Sequence, residues 1–231
     1  MKLLTLSNTK LLKGNDFGYA TYGIHLSPSD LSGYNVCPMA SLGCRAACLN
    51  TSGRGQMQVV QRARLKKTLR FFQDRQGFLA DLRKDIKSAI KSAKRQGLTP
   101  CFRLNLTSDI QWEKIGIPQE FPDVQFYDYT KIPNRLIDKA LPKNYHLTFS
   151  RSESNDVAVQ QVMEAGGNVA VVFDSKVLPK SYLGVPVING DEHDVRFIDP
   201  TPCVVGLYAK GDGKKDESGF VVSASEWGTY G

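Results

Sequence analysis

Short runs of apolar, β-branched and aromatic residues recur along the chain, separated by turns or short helical patterns. Such runs are typical of strands. Strands that alternate with helices predict a parallel sheet, and about six or seven of them predict a partial or distorted (β/α) barrel in a single α/β domain. An open doubly wound sheet is the alternative, although neither a GxGxxG nor a GxxxxGK[ST] motif is present. The predicted strands are residues 19–26, 101–106, 124–129, 145–150, 168–173, 185–188 and 204–209.

Helical periodicity dominates residues 56–96, where apolar side chains recur at three- and four-residue spacing. We predict two helices here, broken near Gln76 and Gly77, with Gly97 as a C-cap. Shorter helices are expected at 134–140 and 156–164.

Positive charge is concentrated in this same region. Residues 54–95 carry thirteen Lys/Arg against three Asp, a net of +10, in a chain whose formal charge is +7. Such a segment can neutralise phosphates, so the basic helices 56–96 predict nucleic acid as a partner. The alternative is that these residues form the solvated faces of ordinary helices.

The chain has 231 residues and 41% hydrophobic content, enough for one sizeable core. No stretch resembles a bilayer span of roughly 20 apolar residues, and the opening MKLLTLSNTKLLKG is too polar for a signal-peptide core. We therefore expect a cytoplasmic protein without a membrane partner. In that reducing compartment the five cysteines are better suited to metal binding than to disulfides, and their odd number leaves one unpaired.

Three of these cysteines, Cys37, Cys44 and Cys48, follow the first predicted strand and precede the long helices. Gaps of six and three residues allow the three thiolates to converge on one centre, and nearby glycines let the backbone approach it. We predict a 4Fe-4S iron–sulfur cluster. Zinc is the main alternative, although structural zinc usually takes four ligands with paired cysteines two to four residues apart. Buried or redox thiols without metal are the third interpretation.

The fourth ligand is constrained by the predicted strands. Cys101 and Cys203 both begin strands, so in a parallel barrel they lie at the opposite face, roughly 17–20 Å away. The fourth iron is therefore expected to bind a non-cysteine residue, water or an exogenous ligand.

Polar side chains cluster where the predicted strands end, the face at which parallel barrels place their chemistry. His193 lies in the acidic run DEHD, which predicts either a raised pKa or carboxylate ligands for a cation. The alternative is that these residues only form turns, although Lys131, Arg151 and Lys210 are not turn formers. We predict catalytic roles for Asp109, Asp128, Lys131, Glu153 and His193, and substrate-binding roles for Arg54, Asn105, Ser108, Arg151, Asp191 and Lys210.

Several long motifs resemble the bacteriophage gene product 88 family over nearly the whole chain. They are CPMASLGCRAACLNTSGRG, RLNLTSDIQWE, FPDVQFYDYTK, NYHLTFSRSESN, NVAVVF, GDEHDVRFIDP and GLYAKGDGK. The resemblance implies a phage protein acting in the host cell cytoplasm, and it brings no particular reaction with it.

The order of first strand, three-cysteine loop, helix and partial barrel also resembles the radical S-adenosylmethionine enzymes. In those enzymes three cysteines leave one iron free to bind the cofactor's methionine moiety, and Cys37, Cys44 and Cys48 occupy the matching positions. The cysteine gaps here are six and three residues in place of three and two, and Asn105–Asp109 stands where a glycine-rich motif is expected. The resemblance implies S-adenosylmethionine as a cofactor and an electron donor such as a ferredoxin or flavodoxin.

Three functions follow from these patterns. The first is an iron–sulfur enzyme that uses radical or redox chemistry on a substrate held at the strand ends. The second is a nucleic-acid-binding phage protein with a structural or redox-sensing metal centre. The third is an electron carrier, which gives no reason for the charged strand ends.

Overall fold

Strands and helices alternate in a computed structural model that describes residues 1–6, 9–138 and 140–228. The strands are β1 (Tyr19–Gly23), β2 (Thr99–Arg103), β3 (Gln125–Thr130), β4 (Tyr145–Ser150), β5 (Val169–Phe173), β6 (Ser181–Tyr182), β7 (Val185–Asn189), β8 (Val204–Tyr208) and β9 (Val221–Val222). The α-helices are α1 (Thr9–Leu12), α2 (Leu42–Ala46), α3 (Gln58–Gln73), α4 (Arg75–Arg95), α5 (Trp112–Ile115), α6 (Ile117–Glu120), α7 (Asn134–Ile137) and α8 (Asp156–Glu164).

One mixed, mostly parallel sheet contains all nine strands, in the order β1-β2-β3-β4-β5-β8-β7-β6, with β9 beside β5. All pairings except the β6–β7 hairpin are parallel. A single α/β domain is therefore present.

The sheet does not close, so the predicted barrel is not confirmed. In the described part of the chain, no pairing joins β1 to the far edge formed by β6 and β7. The β4–β5 contact has only two register pairs, and β9 takes over beside the end of β5. The doubly wound alternative also differs from the sheet, because β1 to β5 follow one another without a reversal of order.

The predicted strand at 145–150 and the predicted helix at 156–164 match β4 and α8 residue for residue. The break between the long helices lies at Asp74, earlier than predicted, because the Asp74 carboxylate caps the second helix by accepting the Gly77 N–H at 3.0 Å. The helix predicted at 134–140 ends at Ile137, and Lys139 lies outside the described residues.

One face of the sheet is covered by the two long helices. Phe78, Leu82 and Ile86 of α4 are fully buried in the same apolar cluster as Phe102 and Phe126 of the sheet. Burying side chains of this size stabilises a fold by about 2 kcal/mol each. The apolar side chains that recur at helical spacing in residues 56–96 therefore attach these helices to the sheet.

The opposite face is covered by residues 190–200, which connect β7 to β8. Asp194 of this segment is fully buried, and both of its carboxylate oxygens accept from Arg103 Nη1 at 3.0 Å. Tyr127 Oη donates to the same carboxylate at 3.1 Å. This ion pair holds the connecting segment against the sheet face opposite the long helices. In a closed barrel, that face would point inward.

We expect the Asp194→Ala variant to leave the Arg103 guanidinium buried without its carboxylate partner. Loss of one partner of a buried ion pair lowers the free energy of unfolding by about 3–5 kcal/mol. The matched control is Asp30→Ala, since the Asp30–Arg45 pair is largely exposed and its loss costs at most about 1 kcal/mol. Urea unfolding of both variants measures this difference. Equal decreases in the free energy of unfolding would show that the buried Asp194–Arg103 pair contributes no more than the exposed Asp30–Arg45 pair.

Candidate functional site

The cysteine loop, residues 33–55, lies across the carboxyl ends of the sheet strands. Glu153, three residues after β4, accepts a hydrogen bond from Ser41 Oγ and another from the Gly43 N–H, both at 2.7 Å. On the other side, Gly211 packs against Ser52. The loop is therefore attached to the segments that follow β4 and β8, as the sequence analysis predicts for this edge.

Cys37 is held by the backbone on both sides of its sulfur. The Ser29 N–H donates to Cys37 Sγ at 3.4 Å, and the thiol donates to the Thr107 carbonyl at 3.9 Å. Burial raises the pKa of Cys37 to about 11; the charges of Cys48, Asp109 and Cys44 add to that increase, whereas the Ser29 hydrogen bond opposes it.

Cys44 is the middle residue of α2, and Cys48 lies two residues beyond the end of that helix. The Cys44 N–H donates to Ser41 Oγ at 3.2 Å. Burial raises the pKa of Cys48, and the charge of Cys44 raises it further, while the cations Arg64 and Lys131 lower it. Cys48 therefore lies within electrostatic range of both the Cys44 thiol and two positive charges.

The donor set is chemically suited to a soft metal, but the thiols do not meet at one point. Among the described residues, no group of three or more His, Cys, Asp or Glu side chains is placed to hold a metal ion. The other two cysteines lie inside the fold: Cys101 Sγ is 3.2 Å from Thr21 Oγ1 within the sheet, and the Cys203 N–H donates to Asn168 just before β8.

Arg64 joins the cysteine loop to α3 and is a site residue that sequence reasoning missed. It is 6% exposed, and its Nη1 donates to Asn50 Oδ1 in the loop. Gln61 Nε2 donates to the Asn50 carbonyl at 3.1 Å. The available signal was spacing, because Arg64, Thr68 and Phe71 share the buried face of α3 at i, i+4 and i+7.

The buried Asp109 side chain connects the segment that follows β2 to the segment that follows β3. It accepts from the Lys131 N–H at 2.8 Å and from Arg135 Nη1 at 3.0 Å. Burial raises its pKa, and the two hydrogen-bond partners oppose that increase. Arg135 also binds both carboxylate oxygens of Glu113, at 2.9 and 2.8 Å. Asp109 therefore positions the backbone beside the cysteine loop.

Asp128 and Asn105, predicted as catalytic and substrate-binding residues, are buried against each other. Asp128 accepts from the Asn105 N–H at 2.7 Å and from Tyr145 Oη at 2.8 Å. Asn105 Oδ1 in turn accepts from Ser108 Oγ at 2.8 Å. Burial raises the pKa of Asp128 to about 7, although its hydrogen bonds and nearby arginines oppose the increase. These contacts brace the turn after β2.

The remaining predicted residues divide between the loop and other parts of the fold. Lys131 Nζ lies 5.5 Å from the Phe220 ring centre, and Arg151 donates to the Phe220 carbonyl at 3.3 Å. Asp191 pairs with Lys210 at 2.5 Å after β8, and Arg54 is exposed in the cysteine loop.

His193 lies elsewhere. Its ring centre is 4.5 Å from that of Phe17, which precedes β1, and its Nδ1 is 2.8 Å from Arg196 Nη2. The structure thus brings Asp109, Lys131 and Glu153 to the cysteine loop and places His193 on the connecting segment 190–200.

The fold and site define an α/β protein with an open parallel sheet and a three-cysteine loop across its carboxyl edge. A family model described as Gene product 88 matches residues 2–224, so the chain belongs to the Gene product 88 family. Comparisons with curated proteins and with solved structures give no match. Among the described residues, no helix combines the length and the apolar character needed to cross a membrane.

The raised pKa of Asp128 predicts a pH-dependent stability. Its folded-state pKa of about 7 lies above an unfolded value of about 3.9, so the folded state binds the extra proton between these values. The free energy of unfolding should therefore fall as pH rises from about 4 to about 7, by roughly 3 kcal/mol. Asp128→Asn should remove this decline, whereas the exposed control Asp123→Asn should keep it. Parallel pH profiles for the wild type and Asp128→Asn in urea unfolding would contradict the assignment.

Proposed function

We propose that Cys37, Cys44 and Cys48 bind an iron–sulfur centre, 4Fe-4S in type, at the carboxyl edge of the sheet. The observation that carries the proposal is the position of the three thiols in one loop at this edge, where Cys37 donates to the Thr107 carbonyl and Glu153 holds the turn that carries Cys44. Three cysteines of one loop are a ligand set suited to an iron–sulfur cluster, and the charges of Cys44 and Cys48 both act on Cys37.

Positive charge beside the loop favours an anionic centre. Arg64 and Lys131 both lower the pKa of Cys48, which stabilises its thiolate form. Arg64 is fixed by its hydrogen bond to Asn50, so this charge stays at the end of the loop. A thiolate-bound cluster carries negative charge that these cations would balance.

The chain's own residues would set the geometry around such a centre. Glu153 holds the first turn of α2, and with it Cys44, against the end of β4. When bound, the cluster would supply one-electron chemistry, with S-adenosylmethionine as a candidate cofactor and a ferredoxin or flavodoxin as the electron donor. Lys131, which directly follows β3 at the edge where the loop lies, is the side chain we assign to an anionic substrate.

The test is anaerobic purification followed by iron, sulfide and zinc analysis. The wild type should carry about four irons and four sulfides per chain, and the reduced protein should give an electron paramagnetic resonance signal that S-adenosylmethionine shifts. Cys44→Ser should lose the iron, whereas Cys101→Ser should retain it, because Cys101 lies within the sheet. Zinc without sulfide, or full iron content in Cys44→Ser, would refute the proposal.

The raised pKa values add a pH dependence to metal loading. Cys37 and Cys48 are protonated at neutral pH in the metal-free protein, so binding must release their protons. We expect the affinity for Zn²⁺, used as a probe of the three thiols, to rise between pH 6 and pH 9, by up to about tenfold per pH unit for each proton released. A pH-independent affinity would show that these thiols are not the ligands.

A second candidate function is nucleic-acid binding, favoured by one exposed face of α4. Lys84, Lys87, Lys91 and Lys94, here called the lysine face, are all exposed and follow one another at three- and four-residue spacing. None of the ion pairs among the described residues includes them. The acidic side chains of α4 are engaged elsewhere, Asp81 with Arg70 and Asp85 with the Leu3 N–H.

We expect this face to contact a phosphate backbone without reading its sequence. Four lysine–phosphate contacts predict a slope of about −3.6 for the logarithm of the duplex DNA association constant against that of salt concentration. Lys87→Glu/Lys91→Glu should make that slope shallower by about 2. The charge-matched control Lys114→Glu/Lys143→Glu should preserve it, since both residues are exposed outside α4. Fluorescence anisotropy across a sodium chloride series measures the slope for each double variant. Equal changes of slope in the two double variants would exclude the lysine face as a defined binding surface.

A further inference from the structure

Three of the buried side-chain nitrogens without hydrogen-bond partners among the described residues belong to segments at the ends of β1 and β2 and to the neighbouring helix α3. They are Arg64 Nε, His25 Nδ1 and Arg103 Nε. Arg103 is the last residue of β2, and its carbonyl accepts from the Ile24 N–H at 3.3 Å, directly before His25. Two residues further on, the Ser27 N–H donates to Thr68 Oγ1 at 2.8 Å, one turn after Arg64 on α3. These hydrogen bonds hold together the segments that carry the three residues, and the positive charges of Arg64 and Arg103 both act on the His25 ring.

We infer that Arg64, His25 and Arg103 form a binding site for an oxyanion, the phosphate or carboxylate group of a small ligand, at the base of the cysteine loop. Arginine and imidazole N–H groups are strong donors to such groups, and neither arginine nitrogen can act as an acceptor. The proposal concerns an anion and does not depend on a metal centre.

Arg64 carries a buried positive charge that a bound anion would neutralise. Arg64 is buried, and its Nη1 donates to Asn50, which is neutral. No ion pair among the described residues includes Arg64. A buried cation without a counter-charge destabilises a fold, and a bound anion removes that cost.

The surrounding charges reinforce this excess. Burial, followed by the positive charges of Arg64, Arg103 and Lys67, lowers the pKa of His25 to about 3. The ring is therefore neutral at physiological pH and offers one N–H donor. The carboxylate next to Arg103 is already used, because Asp194 accepts from Nη1 and leaves Nε unpaired. The site thus has more donors and positive charge than acceptors.

The test uses ring signals of ¹⁵N-labelled histidine in the full-length protein. The sequence has three histidines. The charge of Arg196 acts on His146, and His193 Nδ1 lies 2.8 Å from Arg196 Nη2, so neither ring is an assigned donor and their signals act as internal references. Inorganic phosphate and acetate are titrated separately at constant ionic strength, with sodium chloride as the balancing salt. Saturable shifts of the His25 signals alone are expected; shifts with phosphate only identify a phosphate group, and shifts with acetate identify a carboxylate.

Variants connect the signal to the assigned donors. Arg64→Met keeps the length of the side chain and removes its charge and donors, so anion affinity should fall at least about tenfold. Arg62→Met, an exposed residue two positions earlier on α3, should leave affinity unchanged. If Arg64→Met does not fold, Arg64→Lys keeps the charge but loses the guanidinium donors, and should weaken binding in the same direction.

Failure of this site and failure of the metal proposal are distinguishable. Cys44→Ser should lose its iron and keep the His25 response, because Cys44 contributes no donor to the oxyanion site. Absence of any His25 shift with either anion, or an unchanged titration in Arg64→Met, would overturn the inference whatever the metal content.

Discussion

Parallel pairing of the central strands is the constraint on which the site depends. Because β1 to β5 and β8 run in the same direction, every segment that follows a strand emerges at one edge. That edge receives the cysteine loop after β1, Asp109 after β2, Lys131 after β3 and Glu153 after β4. An antiparallel arrangement would have divided these side chains between two edges.

Buried charge controls how the rest of the fold is organised around that edge. Asp194 and Arg103 pair inside the protein and hold the connection between β7 and β8 against the sheet. Asp109 and Glu113 satisfy Arg135, which braces the strand ends. Arg64 is the exception, a buried guanidinium bonded to a neutral amide, and it lies within electrostatic range of Cys48. The least compensated charge in this region therefore coincides with the candidate site.

Sequence patterns predicted regular elements well where their own periodicity specifies them. The alternation in YHLTFS and the helical period of 156–164 match β4 and α8, whose apolar side chains Phe149, Val159 and Val162 belong to one buried cluster. Predicted functional roles for Asp128 and Asn105 rested on their position near strand ends. Their partners, Tyr145 and the turn after β2, are distant in sequence, so no local pattern shows that these polar groups bond to one another.

The sequence by itself determined the mixed α/β class, the family, the three-cysteine loop and the basic character of the long helices, since composition and local spacing carry all of these. Tertiary structure alone decided that the sheet stays open, that residues 190–200 cover one face, and that His193 lies away from the loop. It also decided that the positive charge of Arg64 acts on His25 near the base of that loop. These outcomes depend on contacts between residues far apart along the chain, where burial and charge pairing are selected by packing and not by neighbouring sequence.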